Sequence, residues 1–149
     1  MDEIKQSEKH SSVTLKGKVA IITGGATGIG RAIAFALAKD GANIVVADLN
    51  KNQAQETATE LEELGVTANA VICDVTKPWM IEKMGASTLE RLDHIDILIN
   101  NAGVAGAPDW YQYPHSREED WGAAYDVNVK GIFNCITALT PSMKEQRSG

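Results

Sequence analysis

The sequence predicts an α/β protein, a parallel sheet with helices on both faces. Three observations predict it. Strand-length apolar runs alternate four times with stretches of helical periodicity. The runs are apolar nearly throughout, as suits strands covered on both faces. A dense glycine cluster, "TGGATGIG" from Thr23 to Gly30, stands between the first run and the first helical stretch.

Residues 1–14 are polar and charged and read as a flexible leader; residues 15–149 read as one domain. "KVAIIT" is the first strand. Ile29, Ala32, Ile33, Ala36 and Leu37 follow at i, i+3, i+4, i+7, i+8, which predicts their stripe as the buried face of the first helix. Gly41 ends that helix. "NIVVADL" is the second strand. "KNQAQETATELEELG" is the second helix, with Ala54, Ala58, Leu61 and Leu64 inward and Gly65 as its stop. "VTANAVICDV" is the third strand, its flank less apolar. "KPWMIEKMGASTLERL" is the third helix, opened by Pro78. "IDILINN" is the fourth and most apolar strand. After the loop "GVAGAPDWYQYPHS", Ser116 is the expected N-cap of a long last helix, "SREE" its capping box with Glu119 at the third position. That helix runs to about Gln146, with Ala124, Ile132, Ile136, Leu139 and Met143 inward and a kink expected at Pro141.

Composition narrows the function. The 149 residues are 44% hydrophobic, enough for a buried core. A net charge of -6 argues against nucleic acid and against an anionic lipid surface. The leader has no apolar segment of a secretory signal, and no run reaches the roughly 18 apolar residues of a membrane span. Cys73 and Cys135 stand far apart and read as buried free thiols; no metal-ligand spacing is present. These features fit a soluble cytoplasmic protein.

The glycine loop joins a strand to a helix N-terminus, whose free N–H groups and positive dipole end favour an anion. Side chains missing there let a phosphate approach the backbone. As a phosphate loop of the GxxxxGK[ST] kind, "GATGIGRA" fails: Arg31 stands in place of lysine, and Ala32 in place of the metal-binding hydroxyl. As a dinucleotide loop it has glycines at 24, 28 and 30, and Asp48 ends the second strand about 20 residues after Gly28, where a carboxylate accepts ribose hydroxyls and repels a 2′-phosphate. Asp48 as N-cap of the next helix is the plainer alternative. "NNAG" after the fourth strand also has a plain reading as a strand-ending turn. Its position at the carboxyl end of a parallel strand, beside the glycine loop, places it where ligands bind.

"TGGATGIG", "ADL", "CDV", "INNAG" and "DVNVKG", in this order and spacing, resemble the short-chain dehydrogenases/reductases over residues 15 to 149. The resemblance implies a Rossmann-type sheet of strand order 3-2-1-4 and binding of NAD(H) or NADP(H), with NAD(H) favoured by Asp48. It implies that Gly24, Thr27, Gly28, Ile29 and Gly30 line the diphosphate, and that Asp74 and Val75 flank the adenine. Asn101, Ala102 and Gly103 would border the cofactor, with Asn100 bracing the sheet. Asn128 matches the family's proton-relay asparagine; a routine core hydrogen bond is its other reading. The implied chemistry is hydride transfer between a secondary alcohol and a ketone of a small-molecule substrate, in a homo-oligomer.

The family's catalytic serine and Tyr-x-x-x-Lys pair are not matched. Tyr125 to Lys130 is one residue too long. Tyr113 has Arg117 four residues on, and Tyr111 has His115. The chain is therefore expected to be an amino-terminal portion lacking the later strands, inactive alone, with its apolar fourth strand as an open edge. A catalytically inactive dinucleotide-binding module is the alternative.

Overall fold

The computed structural model describes residues 14–149, so all but the last residue of the expected leader lies outside the described residues. Strands β1 (Val19–Thr23), β2 (Asn43–Asp48), β3 (Ala68–Ile72) and β4 (Ile97–Asn100) form one sheet in the order β3-β2-β1-β4. All three pairings are parallel, in registers such as Ile22↔Val46, Ile22↔Ile99 and Val46↔Ala70. The connections are helical: α1 (Gly28–Lys39), α2 (Lys51–Glu62) and α3 (Pro78–Leu92).

Alternation along β1 and β2 explains why both strands are apolar throughout. Ala20, Ile22, Ile44 and Val46 point to one face, into a core with Ala34, Ala38, Ala54, Ala58 and Leu61 of α1 and α2. Ile21, Val45 and Ala47 point to the other, into a core with Ile81 and Met84 of α3 and with Cys135 and Leu139 near the carboxyl end. A single polar side chain on either face would be a buried, unsolvated group.

Helix phase departs from the sequence reading in three places. In α1 the buried positions are Gly30, Ala34 and Ala38, with Ile33 and Leu37 partly buried, whereas Ile29, Ala32 and Ala36 are exposed. The small residues let α1 lie close on the sheet, so volume rather than hydrophobicity sets the buried face. In α2, Leu64 lies beyond the helix end and is exposed; Thr57 joins the buried set instead. The third departure is the last helix. It runs as α4 (Glu118–Tyr125), a π-helical segment Asp126–Gly131, and α5 (Ile132–Gln146). The wider turn shifts the phase of all that follows. Gly131, Cys135 and Leu139 are buried, Ile136 is exposed, and Ala124 and Ile132 are only half-buried. The helix start also differs: Arg117, not Ser116, is the N-cap, and Asp120, not Glu119, returns a carboxylate to the N-cap N–H at 2.8 Å. α5 continues through Pro141.

β4 bonds to β1 alone and is an edge of this sheet, but its four residues are half-buried rather than exposed. No helix among the described residues is long and apolar enough to cross a membrane.

Candidate functional site

Four carboxyl strand ends converge on one crevice of about 560 Å³. β1 delivers Gly24, Thr27, Gly28 and Ile29; β2 delivers Asp48 and Leu49; β3 is followed by Cys73, Asp74 and Val75; β4 is followed by Asn101, Ala102, Gly103 and Val104. Parallel strands all end on the same side, so the topology alone gathers these residues. Val127, on the π-helical segment, completes the wall.

The glycine loop is held open from below. Gly24 has φ 61°, and a Cβ on it would fall 2.9 Å from Ala102 Cα. Gly28 has φ 55° and no atom within 4 Å of a Cβ position, so the space beside it belongs to the crevice. Thr27 is the N-cap of α1 but makes no side-chain capping bond. The first-turn N–H groups are thus uncapped at the crevice wall, as an anion site requires. Gly30, expected beside the diphosphate, is placed differently from Gly24 and Gly28. It does not line the crevice but is buried against the loop, where a Cβ would meet Asn101 Nδ2 at 2.5 Å and Gly24 O closer still. Ile29, outside the buried stripe of α1, is 75% exposed on the crevice wall.

Asp48 is fixed by two backbone donors: Ala26 N–H on Oδ2 at 3.1 Å and Asn50 N–H on Oδ1 at 3.0 Å. It is not the N-cap of α2. Asn50 is, its Oδ1 accepting from Gln53 N–H at 3.2 Å. Asp74 Oδ1 accepts from both Thr76 N–H and Thr76 Oγ1, at 2.9 and 2.7 Å, which sets the turn after β3. The crevice lining holds two carboxylates, Asp48 and Asp74, and no lysine or arginine.

Sequence reasoning overlooked Thr23, which organises the opposite wall. Its buried Oγ1 accepts from Asn101 N–H and Ala102 N–H, each at 3.1 Å, and donates to Ile99 O at 3.3 Å. The signal was a hydroxyl closing an otherwise apolar buried strand. Asn101 Nδ2 donates to Thr23 O and Gly24 O at 3.1 and 2.9 Å, tying the end of β4 to the glycine loop. The expected bracing residue, Asn100, has a buried Oδ1 with no partner, so bracing falls to Asn101.

Asn128 lies in the π-helical segment. Its Oδ1 accepts from Val104 N–H at 2.9 Å and its Nδ2 donates to Val104 O at 2.8 Å. Both ends of the amide thus clamp the loop that follows β4. Lys130 pairs with Asp126 at 2.9 Å, which raises its pKa, and does not pair with Tyr125. Tyr113 stacks under the Arg117 guanidinium at 3.9 Å, and Trp110 meets Tyr111 edge-on. Arg117 also binds Asp109 and the buried Asp120. Hydrogen bonds from the Arg117 side chain pull the Asp120 carboxyl down to about 2. Tyr111 and Tyr113 are therefore exposed parts of a loop, and Tyr125 is an exposed residue at the end of α4. Burial pushes the Cys73 thiol up to about 12 and the Cys135 thiol to about 11; both are free.

Residues 18–149 match the family model described as short chain dehydrogenase. Among curated relatives, the chain is 34% identical over 135 residues to a 3-oxoacyl-acyl-carrier-protein reductase of Thermotoga maritima, covering 91% of this chain and 54% of the relative. It is 36% identical over 138 residues to a 7alpha-hydroxysteroid dehydrogenase of Escherichia coli K12, covering 93% and 52%. The fold matches a crystal structure of NAD+-bound xylitol dehydrogenase with a TM-score of 0.81 and 33% identity, covering 91% of this chain and 51% of the other. The chain spans about half the length of the curated relatives it matches.

Proposed function

This chain belongs to the short-chain dehydrogenase family, and on that premise we propose that its crevice binds a nicotinamide dinucleotide, NAD(H) in preference to NADP(H). The carrying observation is the crevice lining: an uncapped helix start at Gly28 beside two carboxylates, with no cation to meet a 2′-phosphate. The open space beside Gly28 fits a diphosphate held by backbone N–H groups. Asp48, already fixed by two backbone N–H groups, keeps lone pairs for ribose hydroxyls. Asp74 and Val75 would flank the adenine, and Asn101, Ala102 and Gly103 would border the nicotinamide side. Bound there, the dinucleotide supplies or accepts a hydride.

The activity we propose for the family chemistry is interconversion of a secondary alcohol and a ketone on a soluble small molecule in the cytoplasm, with the protein acting as a homo-oligomer. Two relatives are named for different substrates, a 3-oxoacyl-acyl-carrier-protein and a 7alpha-hydroxysteroid, and the class proposed here is the alcohol or ketone they share. A ketone becomes an alcohol near neutral pH only when a proton is delivered to its oxygen. Asn128 is proposed to support a water-linked proton relay rather than to supply the proton itself, and no Tyr-x-x-x-Lys pair accompanies it. The chain by itself is therefore proposed to bind the dinucleotide without turnover, as the cofactor-binding portion of such an enzyme.

Calorimetric titration tests this. NADH is expected to bind more tightly than NADPH. Asp48→Arg is expected to loosen NADH by about tenfold, equivalent to about 1.4 kcal/mol, and to narrow or reverse the preference. Tighter binding of NADPH by the unaltered chain, or NADH affinity indifferent to the substitution, would show the role of Asp48 to be wrong.

A further inference from the structure

We propose that a groove along the outer edge of β3 binds a linear anionic amphiphile, an alkyl chain ending in a carboxylate, at a site separate from the dinucleotide crevice. The groove encloses about 480 Å³ between α2, β3 and α3, within the size range of small-molecule pockets. It shares no lining residue with the crevice. This inference does not rest on the proposed function.

The floor is apolar. Val45 and Met84 are buried in one core, against which Val71 and Met80 pack, and Ala54 is buried in the core on the other face of the sheet. Two methionines give such a floor adaptable shape. Trp79 and Ile72 stand 60% and 47% exposed at its margin. A large apolar surface left open in this way marks a place where something apolar settles.

The rim is cationic. Met80, Lys83, Met84, Ser87, Thr88 and Arg91 fall at i, i+3, i+4, i+7, i+8 and i+11 of α3, one stripe of the helix. Lys83 and Arg91 lie on that stripe, and Lys51 at the start of α2 adds a third cation. Arg91 is anchored by a 3.1 Å hydrogen bond from Nη1 to Asn69 Oδ1, which joins the end of α3 to the start of β3. Trp79 lies twelve residues earlier on the helix, about 18 Å away at 1.5 Å per residue. The groove is thus elongated, with Trp79 towards one end and a fixed guanidinium at the other.

Charge complementarity selects the occupant. The chain carries 20 acidic residues against 14 basic ones, yet no carboxylate lines this groove. None of its three cations makes an ion pair with a described carboxylate. Lysines beside an edge strand also discourage pairing with another chain. That role accounts for the charges but not for the open apolar trough beneath them. An apolar tail on the methionine floor and an anionic head at the cations use both features.

The test reads Trp79 alone. Trp110→Phe/Trp121→Phe removes the two other tryptophans, both exposed. Decanoate, kept below its micelle-forming concentration, is titrated against the emission of Trp79. A saturable change is expected, and Lys83→Glu/Arg91→Glu is expected to weaken it by about tenfold, as loss and reversal of two surface charge contacts implies. Circular dichroism checks that the variant is folded; if it is not, Lys83→Gln/Arg91→Gln carries the same comparison. NAD+ at saturating concentration is expected to leave the decanoate curve unmoved. The inference is overturned by no saturable change, by decyl glucoside binding as tightly as decanoate, by charge variants that bind decanoate like the parent, or by competition from NAD+.

Discussion

Replacing Gly30 by alanine separates packing from ligand contact. The added Cβ would lie 2.5 Å from Asn101 Nδ2 and closer to Gly24 O. Neither neighbour yields easily. Gly24 O belongs to the backbone leaving β1, and the Asn101 amide is engaged by Thr23 O and Gly24 O. Overpacking of this kind costs about 1–3 kcal/mol. Displacing the Asn101 amide loses two hydrogen bonds of about 1 kcal/mol each. The higher helix propensity of alanine returns up to about 1 kcal/mol. The expected net loss is about 2–4 kcal/mol, a fall in melting temperature of roughly 5–15 °C for a domain of this size. Thermal unfolding followed by circular dichroism measures it. Gly28→Ala is the control. It meets no atom within 4 Å but has φ 55°, so it costs about 1–2 kcal/mol of backbone strain and intrudes on the proposed diphosphate. It should weaken NADH binding more than it lowers stability. A Gly30→Ala protein melting within about 2 °C of the parent would refute the packing argument.

Three further outcomes follow from the same structure. Thr23→Val strands the N–H groups of Asn101 and Ala102 in a buried wall and should cost about 2–4 kcal/mol in urea unfolding; Thr23→Ser, which keeps the oxygen, should cost less, and equal losses would contradict the account. Asp120 is held below its ordinary value of 3.8, at about 2, by the Arg117 side chain. Its ionised form is therefore favoured in the folded state, so its contribution is present above 3.8 and is lost as pH falls towards about 2. Fluorescence of the loop holding Trp110 should stay constant from neutral pH down to that window and change within it, whereas Asp120→Asn should alter it already at neutral pH; a wild-type transition above about pH 5 would count against the Arg117 pairing. Cys73 and Cys135, pushed up to about 12 and about 11 by burial, should resist a thiol reagent at mildly alkaline pH until denaturant is added, and rapid labelling of the folded chain would contradict their burial.

The linear chain determined the order of strands and helices, the parallel sheet and the side of the sheet on which the crevice opens. Those properties follow from local patterns: apolar runs of strand length, helical spacing between them, and glycines at one junction. Parallel strands send their carboxyl ends to one side whatever the details of packing. The residues after β1, β2, β3 and β4 are therefore legible as neighbours from the chain alone. Asn128 stands out for a different reason, as a polar residue in a helix interior that has no capping use for it.

Only the folded molecule decided which face of each helix is buried. Periodicity shows that a stripe exists, but its phase depends on how near the sheet lies and on any irregular turn upstream. Close approach selected Gly30, Ala34 and Ala38 in α1 over the larger Ile29. The π-helical turn at Asp126–Gly131 carried Cys135 inward in place of Ile136. That Asn101 rather than Asn100 ties the end of β4 to the glycine loop was equally hidden. Adjacent residues of a strand point to opposite faces, and which one meets the glycine loop depends on how that loop folds back. The cationic groove joins α2, β3 and α3 across separations of up to 40 residues, from Lys51 to Arg91. No local pattern reports such a meeting, because each of its charges reads along the chain as an ordinary solvated side chain.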